Sequence, residues 1–205
     1  MTFHALREYV MGDDLRHVHW RTTARTGTLM VRQLVDSSLP VSTVVLDTRS
    51  ASYPDEVAAR QDATAERDFD LAVDAVATVG ASMASAGFPV TLLTTDGTRH
   101  ESRSARTAGT LLDLLAVLET HQEGDLAATV ESARRVAAGG SLTVVTGPAA
   151  ALPGETLAAC RRRFDRTVVI VAGRGTLPAP VLPVTVIRAA SAEDVAAAWR
   201  RGDAR

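Results

Sequence analysis

Lysine is missing from this 205-residue sequence, so all 22 of its basic residues are arginine. Such one-sidedness reads as a high-GC coding bias, and the arginine excess carries little functional information. There is one cysteine, Cys160, which excludes an intrachain disulfide and a cysteine metal cluster and fits a reducing compartment. Aromatic residues make up only 4%. No apolar run reaches the length of a membrane helix, and the opening Met1-Thr2-Phe3-His4 has no basic-then-apolar pattern, so it does not read as a signal peptide. The formal net charge is −2 with a pI near 6.2, which leaves no overall basic field to draw in nucleic acid or an anionic membrane. No Walker lysine is present, so the chain is not itself an ATPase.

What is there is ordinary globular composition, 46% apolar and 22% charged. The apolar residues are mostly Ala, Val and Leu, the small aliphatic stock of a helix-covered parallel sheet. Residues 1–38 form a first segment. Leu6 to Val10 alternates like a short strand, Met11 to Asp14 reads as a turn, Leu15 to Arg25 has no clean period, and Thr28 to Val35 alternates again. Residues 39–205 switch between strand and helix. Strands are expected at Val41–Asp47, Pro89–Thr94, Ser141–Thr146, Thr167–Ala172 and Val184–Ile187. Asp96-Gly97 predicts a hairpin into an edge strand near Arg99–Arg103. Helices are expected at Phe69–Ala86, Thr107–Glu119, Asp125–Ala138 and Pro153–Phe164, and a last one opens on Ser191 and Asp194 as a capping pair. This order predicts an α/β fold, a mostly parallel Rossmann-like sheet flanked by helices behind an N-terminal β-containing appendage. Ligands on such sheets sit at the carboxyl ends of the strands, here Asp47–Ser52, Thr94–Asp96, Thr146-Gly147 and Ala172-Gly173.

Phe3 to Tyr9, Gly12-Asp13-Asp14-Leu15-Arg16, His19-Trp20-Arg21, Ala24-Arg25-Thr26-Gly27 and Leu29-Met30-Val31-Arg32 follow one another in an order and spacing that resembles the signature of the domain of unknown function 58 family. The resemblance implies a von Willebrand A-like domain whose first strand ends in aspartate, the position held by Asp47. It implies partnership with a MoxR-type AAA+ ATPase. It also implies a bacterial parent with membrane helices and a β-rich segment upstream, so that this chain would be a soluble part at the cytoplasmic face.

Four constellations invite chemistry. A von Willebrand A adhesion site takes Mg²⁺ on Asp-x-Ser-x-Ser, a Thr and a second Asp, because a hard cation wants oxygen ligands. Asp47-Thr48-Arg49-Ser50-Ala51-Ser52 departs from this: Ser50 and Ser52 are displaced by one place, Arg49 sets a guanidinium beside any cation, and Thr146-Gly147 stands where an acid is wanted. The bland alternative is that Asp47 caps a loop or pairs with Arg49. In the signature, Arg7, Asp13, Asp14, Arg16, His19, Trp20, Arg25 and Arg32 read as a structural or docking network, with bidentate Arg–carboxylate pairs and a Trp20 ring packed on the sheet domain. Cys160 sits in an amphipathic helix with no base placed beside it, and His100 and His121 read as isolated and solvent-facing. Gly173-Arg174-Gly175 lacks the following helix that phosphate binding needs. No catalytic set assembles. The expected function is a non-catalytic protein-interaction module, with a divalent-metal-dependent binding or hydrolytic domain at Asp47 as the alternative.

Overall fold

The computed structural model describes residues 2–10, 18–35, 41–53, 68–102, 108–137, 139–173 and 184–201. The chain divides into two compact units, Met1–Leu39 and Pro40–Arg205.

In the first unit, β1 (Thr2–Glu8) pairs antiparallel with β2 (Met30–Val35). Between them lies a helix that the sequence pattern does not announce, α1 (Trp20–Thr26). It has no apolar period to read. Its start is fixed instead by His19, whose Nδ1 accepts from the Thr22 backbone N–H at 3.2 Å. The turn is held to β2 by the His19 N–H donating to the Met30 carbonyl at 2.7 Å and the Met30 N–H donating to Thr23 Oγ1 at 3.0 Å. The expected turn at Met11 to Asp14 lies outside the described residues.

The second unit is a six-stranded sheet in the order β5-β4-β3-β6-β7-β8. Its strands are β3 (Ser42–Leu46), β4 (Val90–Thr94), β5 (Arg99–Ser102), β6 (Ser141–Thr146), β7 (Arg166–Ala172) and β8 (Thr185–Ala189). All neighbours are parallel except the β4–β5 hairpin, the edge that Asp96-Gly97 predicts. The helices are α2 (Asp68–Ser85), α3 (Ala108–Leu115), α4 (Leu126–Val136), α5 (Gly154–Cys160) and α6 (Ala192–Arg201).

Strand alternation sends residues to opposite faces. Val44, Leu46, Val145, Val168 and Ile170 meet α2, α3 and α6, whereas Val45, Leu142, Val144, Val169 and Val171 meet α4 and α5. Both faces are therefore dry, which explains the unbroken apolar runs in the central strands. Two helices of this unit carry side-chain caps, of which the sequence cue announces the one at Ser191 and Asp194. Asp125 accepts from the Ala127 and Ala128 N–H groups; Ser191 Oγ accepts from the Asp194 N–H at 3.2 Å, while Asp194 Oδ2 accepts from the N–H of Ala190, one residue before the cap, at 3.1 Å. Two helices end earlier than the pattern predicts. α3 stops at Leu115 rather than Glu119, because the chain turns there and the His121 N–H donates to the Thr48 carbonyl at 2.7 Å. α5 stops at Cys160, where tighter turns carry the chain to Phe164. Among the described residues, no helix is long and apolar enough to cross a membrane.

Candidate functional site

β3 connects onward to β4 on one side, and the chain later returns to β6 on the other. The carboxyl ends of β3 and β6 thus form the switch point of the sheet, where such folds bind ligands. Asp47 stands at that point and is fully buried. A carboxylate there needs compensation, and the loops supply it. Arg49 folds back so that its Nε donates to Asp47 Oδ1 and its Nη2 to Oδ2, both at 2.8 Å. Ser52 Oγ and Thr146 Oγ1 each donate to Oδ2 at 2.7 Å. The Arg49 backbone N–H and Thr95 Oγ1 lie 3.2 and 3.5 Å from Oδ1. Burial alone would push the Asp47 carboxyl up. The hydrogen bonds from Arg49, Thr146 and Ser52 and the charge of Arg49 outweigh it, and the carboxyl is held below its ordinary value.

The loops are fixed around this pair. A single 3₁₀ turn (Ser50–Ser52) rotates Ser52 onto the carboxylate, while Ser50 donates its backbone N–H to the His121 carbonyl at 2.8 Å and its hydroxyl is not among the partners of Asp47. Tyr53 Oη donates to the Asp47 carbonyl at 2.6 Å. Thr95 Oγ1 accepts from the Thr48 N–H at 2.9 Å. His121 is not isolated, as its spacing implies, but pairs with Asp96 at 3.3 Å beside the bridge between Arg49 and His121. Gly147 has to be glycine: an added Cβ would lie 2.6 Å from Tyr53 Cδ1 and 2.7 Å from the Ser52 carbonyl carbon.

Because the Asp47 carboxyl is depressed in the folded state, its stabilising contribution is present above the unfolded carboxylate value and is lost as pH falls through the lower folded value. Wild-type stability is expected to decline in acid below the usual carboxylate range. An Asp47→Asn variant should lack that part of the decline, which urea unfolding across the acid range reads directly.

This arrangement does not fit a divalent cation. Both Asp47 oxygens already face the guanidinium and accept from Ser52 and Thr146 as well, and the Arg49 cation, whose charge Asp125 also feels, occupies the side from which a metal would approach. Among the described residues, no group of three or more His, Cys, Asp or Glu side chains is placed to hold a metal. Cys160 is buried, and burial pushes its thiol up, away from the reactive thiolate.

A groove of about 640 Å³ runs between α2 and residues 115–120. Its lining brings the apolar Phe69, Val73 and Leu118 together with the acidic Asp70, Asp74 and Glu119. Val117 stands 73% exposed at its margin. Its lining ends at Thr120, next in the chain to His121.

The signature residues are placed unevenly. His19 is the cap of α1, and Arg25 lies in the last turn of that helix, where its charge suits the helix end. The Trp20 ring is 65% exposed and not packed in a core. Arg7 and Arg32 fall on the paired strands, Arg7 opposite Val31 and Arg32 opposite Leu6, and their side chains lie outside the described residues, as do Asp13, Asp14 and Arg16. Arg174 and Gly175 of the glycine-rich stretch also lie outside them.

A search of curated proteins gave no significant sequence match. Among solved structures, the chain is similar to von Willebrand factor type A from Catenulispora acidiphila, with a TM-score of 0.55 and 14% identity over 82% of this chain. It is similar to PilB minor pilin from Streptococcus sanguinis, TM-score 0.55 and 10% identity over 85%. Proximal thread matrix protein 1 from the mussel byssus gives a TM-score of 0.54 and 11% identity over 80%. The chain spans 42%, 63% and 47% of those three chains respectively, and at such identities the likeness is one of fold. The family profile "Protein of unknown function DUF58" matches residues 5–177. With that much of its length matched, the chain belongs to the DUF58 family, its second unit carrying the von Willebrand A-like α/β fold.

Proposed function

We propose that this chain is a non-catalytic protein-interaction module that engages its partner through the carboxyl-end loops without a metal ion. The observation that carries the reading is the Asp47–Arg49 pair: the acid that would hold a cation is closed by an internal guanidinium. The groove between α2 and residues 115–120 supports it, because a lining that mixes acidic with apolar side chains suits a basic segment bearing an aliphatic anchor. The partner we propose is the MoxR-type AAA+ ATPase that the family resemblance implies, with the parent protein held at the cytoplasmic face of a membrane.

The test is binding of the full-length parent protein to that ATPase, with and without ATP and with and without EDTA. Capture that is indifferent to EDTA and weakened by Asp74→Lys, a reversal of charge in the groove lining, is the expected result. Absence of binding in every nucleotide state would overturn the partner assignment, and binding abolished by EDTA and restored by Mg²⁺ would favour a metal-dependent site instead.

A further inference from the structure

The opposite end of the sheet holds an arginine whose Nε/Nη2 edge has no acceptor. Arg166 opens β7, and the alternation of that strand puts it on the face of Val168 and Ile170, towards α2 and α6. The register places Ser42, Ser141 and Arg166 side by side on β3, β6 and β7. Ser141 Oγ donates to Ser42 Oγ at 3.1 Å, and the Arg166 guanidinium lies 5.4 Å from the centre of the Trp199 ring. Its Nε and Nη2 are buried and have no acceptor. Asp165, the nearest acid in sequence, turns its carboxylate to the Gly140 N–H at 2.8 Å. Burial pulls the guanidinium below its usual value with no nearby charge opposing it.

Two other arginines of the chain fill this same edge of the guanidinium with a carboxylate. Arg49 places Nε and Nη2 on Asp47, both at 2.8 Å, and Arg134 places them on Glu131 at 2.7 and 2.6 Å. Two parallel N–H donors match the two coplanar oxygens of a carboxylate. Beside Arg166 lies a pocket of about 220 Å³ bounded by Ser42, Ser141, Met83, Phe88 and Asp165, the last with its carboxylate engaged by the Gly140 N–H. That volume is below the range of small-molecule sites, roughly 300–1,000 Å³, but takes a single side chain. Met83 is the movable wall, since a thioether chain changes rotamer at little cost.

We infer that Arg166 is an anchor for an acidic side chain of a protein partner, taking its carboxylate on the Nε/Nη2 edge while Met83 and Phe88 pack its aliphatic stem. The site lies at the amino ends of the parallel strands, far in the fold from Asp47, and stands whether or not the reading of the Asp47 loops holds. Without the partner, the Nε/Nη2 edge of the half-buried guanidinium is desolvated with no acceptor, its face meeting only the Trp199 ring, and this gives an unusual expectation. Arg166→Met keeps the stem and removes the charge, so it should raise the Tm of the chain by about 2–4 °C. An unchanged or lower Tm would mean that the guanidinium is already satisfied, and would overturn the inference.

The second measurement follows the Arg166 Nε–H resonance of the wild-type chain, assigned by its absence in Arg166→Met. Titration with the capped dipeptide acetyl-Leu-Glu-amide is expected to shift it saturably, beyond an ionic-strength-matched chloride control. No shift, or a shift with inorganic phosphate but none with the dipeptide, would overturn the assignment to an acidic side chain.

Discussion

Replacing Asp47 with alanine is expected to destabilise the sheet unit by about 3–5 kcal/mol, the range for breaking a buried ion pair from one side. For a domain of this size that is a fall in Tm of roughly 10 °C. The cost has two sources. The carboxylate is fully buried and is the acceptor for Arg49, Ser52 and Thr146 together, so its loss leaves a guanidinium and two hydroxyls without their acceptor. The same truncation opens space at the switch point between β3 and β6. Replacing both members, Asp47→Leu with Arg49→Met, should recover much of the loss, because an apolar pair needs no partner. A double-mutant cycle by urea unfolding checks this. If Asp47→Ala costs less than about 1 kcal/mol, the range of an exposed pair, the pair is not the keystone of the loops.

Gly147→Ala is the second large effect. Its backbone passes directly over the 3₁₀ turn, and the added methyl would strike the Ser52 carbonyl group and the Tyr53 ring. Neither can yield freely: Ser52 is bonded to Asp47, the Ala149 N–H donates to the Ser52 carbonyl at 3.2 Å, and Tyr53 is buried with its hydroxyl on the Asp47 carbonyl. Overpacking of about 1–3 kcal/mol is the usual range, and the upper end is expected here because the obstacle is backbone. The diagnostic feature is coupling. A displaced Ser52 also weakens the carboxylate cluster, so Gly147→Ala and Ser52→Ala should be strongly non-additive in thermal unfolding. Simple additivity would place the strain elsewhere.

Much of the sheet domain is legible in the sequence because its signals are local. The β-branched run ending at Asp47, the Asp96-Gly97 hairpin and the Ser191–Asp194 cap each need only a few neighbouring residues. What the sequence hides is non-local. Thr95 and Thr146 reach Asp47 across 48 and 99 positions, and no spacing rule connects them. The preference for Ser52 over Ser50 depends on one 3₁₀ turn held by His121, itself read as isolated from its sequence context. The α1 helix escapes because its cap is an imidazole and its register comes from β2 rather than from an apolar stripe. Arg49 was legible as an obstacle to a cation. Its two 2.8 Å bonds give it the further role of standing in the cation's place.

That substitution is the centre of the account, and calorimetric titration of the chain with Mn²⁺ at neutral pH tests it most directly. A flat titration into the millimolar range of weak cation sites is predicted, because the Asp47 oxygens are already engaged by Arg49, Ser52 and Thr146 and a guanidinium stands where the cation would bind. Saturable one-to-one heat that disappears in Asp47→Asn would contradict the account and return this site to the metal-binding members of its fold.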